Sequence, residues 1–149
     1  MVDDEVIRRG VDEENSLIPL VTFDENRLNF HETVARETFA NEKYRGVKIT
    51  FVSVMGPSRS GKSFLMSVLT NGVDGNKIHG AFQSGLQRFT EGIHIFTRPI
   101  FINETHAVFF LDTQGTFDMQ TDRTISAWIA GFSLLFSDIQ VRIRPLIIL

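Results

Sequence analysis

The chain has 149 residues, 42% of them hydrophobic, and a net charge of -3. That suffices for one domain with a packed core and excludes general disorder; the acidic balance argues against a broad nucleic-acid footprint. There are no cysteines, which removes disulfides, thiolate catalysis and cysteine metal sites from consideration.

Residues 1–16 are charged and aperiodic, and a flexible acidic tail is expected there. Residues 1–45 hold 6 Lys+Arg against 11 Asp+Glu, and the remainder 9 against 7. The start, Met1-Val2-Asp3-Asp4-Glu5, lacks the apolar stretch of a secretory signal. Leu17 to Phe23 predicts a short strand, with Pro19 suggesting an edge position. Asp24 predicts the cap of a helix over about Glu25–Ala40. Asn41 to Gly46 is a polar break. Val47 to Met55 is β-branched and apolar, as a buried parallel strand requires. A loop follows, then a helix from about Lys62 to Thr70. Asn71 to Gly92 holds five glycines and predicts a long functional or mobile loop. Ile93 to Phe101 predicts a strand, edge-lying near Pro99. A turn at Asn103–His106 leads to a short strand, Ala107–Leu111, ending at Asp112. A helix over Asp122–Phe136 and a strand from Ile139 to Ile143 complete the pattern. The longest apolar run, Ile125–Phe136, falls short of the ~18 residues a membrane span needs. No membrane segment and a cytoplasmic location are expected.

From Val47 onward the alternation of strands and helices is α/β patterning, in which ligands lie beyond the carboxyl ends of strands. Two motifs fall at such ends. Gly56-Pro57-Ser58-Arg59-Ser60-Gly61-Lys62-Ser63 matches G-x-x-x-x-G-K-[ST], the P-loop of nucleotide-binding proteins. Gly61 lacks a Cβ, so backbone N–H groups can wrap phosphate oxygens. The following helix N-terminus adds positive potential. Lys62 reaches the β- and γ-phosphates in such loops, and the Ser63 hydroxyl ligates Mg²⁺. By chance, four such positions match in a chain of this length roughly once in two hundred, and the strand before and helix after are both present.

Asp112-Thr113-Gln114-Gly115 matches D-x-x-G. Its carboxylate can hold Mg²⁺ through water, and the Gly115 N–H can approach a γ-phosphate; the structural alternative for Asp112 is a cap or turn former. Thr90-Glu91-Gly92-Ile93 lies between the motifs. Thr90 is either a switch residue closing over Mg²⁺ and γ-phosphate or a solvated loop hydroxyl. The histidines at 31, 79, 94 and 106 show no metal-ligand spacing, and surface or half-buried structural roles are expected. The aromatic residues read as core packing.

"GPSRSGKSFLM", "FTEGI" and "LDTQGTFD", in that order, resemble the guanylate-binding protein and atlastin group of large dynamin-related GTPases. "PLVTFDENRLNFHETV" and the stretch following "LDTQGTFD" look closer to the atlastins. The resemblance covers about residues 18 to 141. It implies a P-loop NTPase fold, a mostly parallel sheet flanked by helices, and GTP hydrolysis with Mg²⁺ as cofactor. It implies nucleotide contacts from residues 56–64, that is Gly56, Pro57, Ser58, Arg59, Ser60, Gly61, Lys62, Ser63 and Phe64, and from Asp112, Gln114 and Gly115. Metal ligation falls to Ser63, Thr90 and, through water, Asp112. Catalysis falls to Lys62, Thr90 and Arg59, the last as an arginine finger in cis that folds over the phosphates when two G domains meet. That arginine addresses the charge on transferring and leaving oxygens. The partners implied are GTP and GDP and a second G domain. The family role is GTP-driven dimerisation and membrane fusion at the cytoplasmic face of the endoplasmic reticulum.

Thr116 stands where small GTPases carry a water-orienting glutamine, which this family does not use. The family's guanine-reading Arg-Asp pair is expected beyond residue 149, and "RIRPLIIL" leaves the family pattern. The expected organisation is therefore an acidic tail over residues 1–17, the front of a G domain over 18–141, and a divergent apolar tail over 142–149. An unpaired apolar sheet edge is expected with it. Two rival readings remain: a non-catalytic interaction fragment with weak nucleotide binding, and a P-loop kinase acting on a small acceptor.

Overall fold

The structure, a computed structural model, describes residues 17–24, 27–56, 61–71, 92–114 and 123–143. Residues 1–16 and 144–149 of the expected tails, and most of the glycine-rich loop, lie outside these residues, whereas Leu17 and Arg142 fall within strands. The elements described are β1 (Leu17–Asp24), β2 (Arg27–Phe30), α1 (Glu32–Thr38), β3 (Lys48–Met55), α2 (Lys62–Asn71), β4 (Gly92–Phe96), β5 (Ile100–Asn103), β6 (His106–Gln114), α3 (Arg123–Phe136) and β7 (Ile139–Arg142), with a 3-10 turn at Glu42–Tyr44. The strands form one sheet in the order β2-β1-β4-β6-β3-β7, with β5 paired to β6.

The α/β architecture matches expectation, and its parallel part is the centre of the site. β3 runs parallel to β6 on one side and β7 on the other. The remaining pairings are antiparallel. β3 is mainly apolar and β-branched, and it has neighbours at both edges and cover on both faces. The β6–α3–β7 connection passes over β3, the long crossover that parallel neighbours need. Asp138 fixes its return: the Phe51 N–H donates to Asp138 Oδ2 at 2.8 Å and the Asp138 N–H to the Phe51 carbonyl at 2.9 Å.

Strand alternation separates two cores. On one face α1 and α3 bury Val34, Ala35 and Ile129 against Ile93, Ile95, Phe109 and Leu111. Phe39, Phe51 and Phe136 join edge to face or tilted, with Phe51 4.9 Å from each of the others. On the other face α2 lays Met66 against Val52, Val54, Phe96, Val108 and Phe110.

Several expected elements differ. Residues 25–40 do not form one helix: β2 pairs antiparallel with β1, and the helix is only Glu32–Thr38. The alternating Arg-Leu-Asn-Phe finds a strand partner, and ladder pairing outweighs helix propensity. β1 is not an edge strand, since it lies between β2 and β4; Pro19 is accommodated at a register shift between Pro19 and Val21, the bulge position where a missing N–H does no harm. The strand expected over 93–101 is two strands, with Pro99 in the connection. β6 does not stop at Leu111 but continues through Asp112 to Gln114. Among the described residues β7 is the last strand of the sheet on its side, and Ile139 on it is exposed. Among the described residues, no helix is long and apolar enough to cross a membrane.

Candidate functional site

β3 delivers the chain to buried Gly56 at the carboxyl end of the sheet. The chain re-enters the described structure at Gly61, whose φ of +86° lies in the left-handed region that glycine adopts without strain. The Gly61 carbonyl accepts from the Leu65 N–H at 2.9 Å, so α2 starts here and Lys62 is its first residue. The Lys62 side chain folds back and Nζ donates to the Gly56 carbonyl at 2.9 Å. The residue is only 8% exposed.

This placement is electrostatically informative. A buried ammonium loses hydration, and a cation at a helix N-terminus opposes the helix dipole. Both penalties are relieved by an anion at the same point, where free helix N–H groups converge. Lys62, Gly61 and α2 thus make a cationic socket at the end of β3.

Asp112 lies beside this socket. It is the register partner of Val54, one residue before Met55, and is 0% exposed. Thr113 turns to the opposite face and its hydroxyl donates to the Val54 carbonyl at 3.0 Å, clamping β6 to β3 at that level. Gly92 guards the adjoining strand. Its φ is +155°, and a Cβ there would sit 2.1 Å from the Val21 carbonyl oxygen. The glycine of the Thr90-Glu91-Gly92 stretch is therefore required by the close approach of β1.

The structure brings together Gly56, Gly61, Lys62 and Asp112, with Ser63 and Phe64 following on the first turn of α2 and Gln114 ending β6. Pro57, Ser58, Arg59, Ser60, Thr90 and Gly115 lie outside the described residues. One residue was missed by sequence reasoning. His94 is 2% exposed, against the expectation of a surface or half-buried role, and is the register partner of Asp112 on β4. Its alternation with Phe96 was legible; the carboxylate opposite it was not. His31 and His106 are partly exposed and bond the hydroxyls of Thr22 at 2.9 Å and Thr50 at 2.8 Å.

The donor set suits Mg²⁺. That ion takes hard oxygens, keeps several waters, and is held by one or two protein groups together with phosphates. A buried carboxylate beside the cationic socket, with a serine at the second helical position, meets this demand. Among the described residues no cluster of three His, Asp or Glu forms an all-protein cage.

The profile of the guanylate-binding protein N-terminal domain matches residues 26–143. Atlastin-1 of Bos taurus is 33% identical over 138 residues, covering 82% of this chain and 25% of that protein. Atlastin-1 of Macaca fascicularis is 32% identical over the same shares. Atlastin-2 of Homo sapiens is 28% identical over 140 residues, covering 83% of this chain and 24% of that protein. The chain spans about a quarter of the length of these relatives.

Proposed function

The chain belongs to the family of the guanylate-binding protein N-terminal domain, and from that premise we propose that it binds GTP and hydrolyses it with Mg²⁺. The observation that carries this reading is Lys62: a buried ammonium, at a helix N-terminus, held 2.9 Å from the Gly56 carbonyl. A phosphate oxygen takes the place of that carbonyl as the better acceptor, since hydrogen bonds between ionised groups contribute about 1.5–3 kcal/mol.

The remaining roles follow from family membership. Gly56 to Phe64 surround the phosphates, and the Gly115 N–H and Gln114 line the γ-phosphate side. Ser63 and Thr90 would ligate Mg²⁺ directly and Asp112 through water; the bound ion supplies neutralisation and orientation of the phosphate oxygens. Arg59 stabilises the charge that moves onto the leaving oxygen. Residues 18–141 act as the front part of the G domain. Pairing with a second G domain, and a place at the cytoplasmic face of the endoplasmic reticulum, belong to the same reading.

Phosphate release from GTP and from ATP, each with Mg²⁺ and with EDTA, tests it. We expect Mg²⁺-dependent release from GTP, little from ATP, and a loss of at least tenfold in Arg59→Ala with nucleotide affinity retained. Nucleotide binding without turnover would leave only the interaction-fragment reading. ATP preference with transfer to an acceptor would favour the kinase reading.

A further inference from the structure

Asp112 has two cross-strand neighbours on the α2 face of the sheet. On β3 it opposes Val54, and on β4 it opposes His94. The face is fixed by alternation: Val108 and Phe110 precede Asp112 on β6, Phe96 follows His94 on β4, and all three pack in the α2 core with Val54. Directly opposed residues on one face bring their Cβ atoms to about 4.5–5.5 Å. A carboxylate buried at this depth needs donors. Val54 offers none, whereas His94 carries a ring N–H.

Resting on the phosphate-site reading above, we propose that His94 is a positioning residue for Asp112, holding its carboxylate toward the loop so that it can receive Mg²⁺. Both side chains are buried, and an imidazole N–H directed at one carboxylate oxygen leaves the other oxygen to face a cation. The corner behind it is fixed: Thr22 bonds His31 at 2.9 Å and is the register partner of Gly92, two residues before His94 on the same face.

The test uses the full chain and a fluorescent GTP analogue, titrated with Mg²⁺ and, separately, in EDTA. His94→Leu should raise the Mg²⁺ concentration for half-maximal response about tenfold, the usual loss when a group that orients a metal ligand is removed. Affinity in EDTA should stay within about twofold, which a merely structural role would not predict. His94→Gln, whose amide N–H has similar reach, should restore the midpoint to within about threefold. If His94→Leu does not fold, His94→Asn takes its place, and its shorter amide should leave the midpoint raised. An unchanged midpoint in the folded variant, or an equal loss with and without Mg²⁺, overturns the assignment. Failure of the wild-type chain to bind the analogue at all overturns the phosphate-site reading and this assignment with it.

Discussion

The two faces of the sheet are built on different principles. The face under α1 and α3 is packed with aromatic rings: Phe39, Tyr44, Phe51, Phe109 and Phe136 meet at centroid distances of 4.9 to 6.1 Å, and apolar burial there supplies much of the stability. The face under α2 buries Lys62, His94 and Asp112 beside a smaller apolar cluster. Each of those polar groups lowers stability unless it is compensated: Lys62 opens α2, Asp112 lies near the carboxyl end of β6, and His94 opposes Asp112 on β4. Ring packing and buried ionisable groups thus lie on opposite sides of β6, through alternate residues of one strand: Phe109 and Leu111 face the rings, Phe110 and Asp112 face α2.

Substitutions on either side test that division. Phe109→Ala should have the largest effect, a loss of about 3–5 kcal/mol in urea unfolding, because the ring is fully buried among Phe39, Tyr44 and Phe51 and its removal leaves a cavity. A loss under about 1 kcal/mol would mean the aromatic face is not the stabilising one.

Gly92→Ala lies at the boundary. The new methyl would meet the Val21 carbonyl at 2.1 Å in a positive-φ conformation, and strain of about 3 kcal/mol is expected. Amide exchange should show the β1–β4 pairing loosened first. Wild-type exchange rates in that ladder would refute the requirement.

Acid tests the polar face. With its pKa lowered from 6.5 to about 4, His94 binds a proton in the unfolded chain before the folded one. Its contribution is fully present above pH 6.5 and is lost as pH falls toward 4. The groups facing it are Asp112 on β6 and His31 beyond β1. From pH 7 to pH 5 the unfolding free energy should fall by about 2 kcal/mol more in wild type than in His94→Gln, at about 1.4 kcal/mol per pH unit. Equal slopes would show that burial does not hold the ring neutral.

Arg36→Ala should have the smallest effect, under about 0.5 kcal/mol. The Arg36–Glu32 pair is short, 2.6 Å, but both side chains are exposed, and such pairs contribute little. A larger loss would show that α1 depends on its outer surface rather than on Val34 and Ala35.

The outer side of α3 complicates the picture, because Trp128 is 62% and Leu135 88% exposed. Ile139 on β7 is likewise exposed.

How much of this was legible in the sequence depended on range. The β3–loop–α2 unit was readable because a glycine, a lysine and two apolar runs carry their meaning within about twenty residues. The α3 helix and β7 were readable from periodicity for the same reason. Residues 25–40 were not, since Arg27–Phe30 is too short a window to decide between helix and strand, and pairing with β1 decides it. Pro19 signalled an irregularity correctly, but an edge and a bulge share that signal. His94 was invisible as a site residue because its role depends on Asp112, eighteen positions later, arriving directly opposite on another strand.

The most direct measurement is binding of a fluorescent GTP analogue by Lys62→Ala, read together with its urea midpoint. If the α2 face is a phosphate socket, the variant loses about ten- to a hundredfold in affinity, the equivalent of one charge-assisted hydrogen bond, while its unfolding midpoint stays near wild type. Unchanged affinity in a folded Lys62→Ala chain would contradict the assignment of phosphate binding to this face.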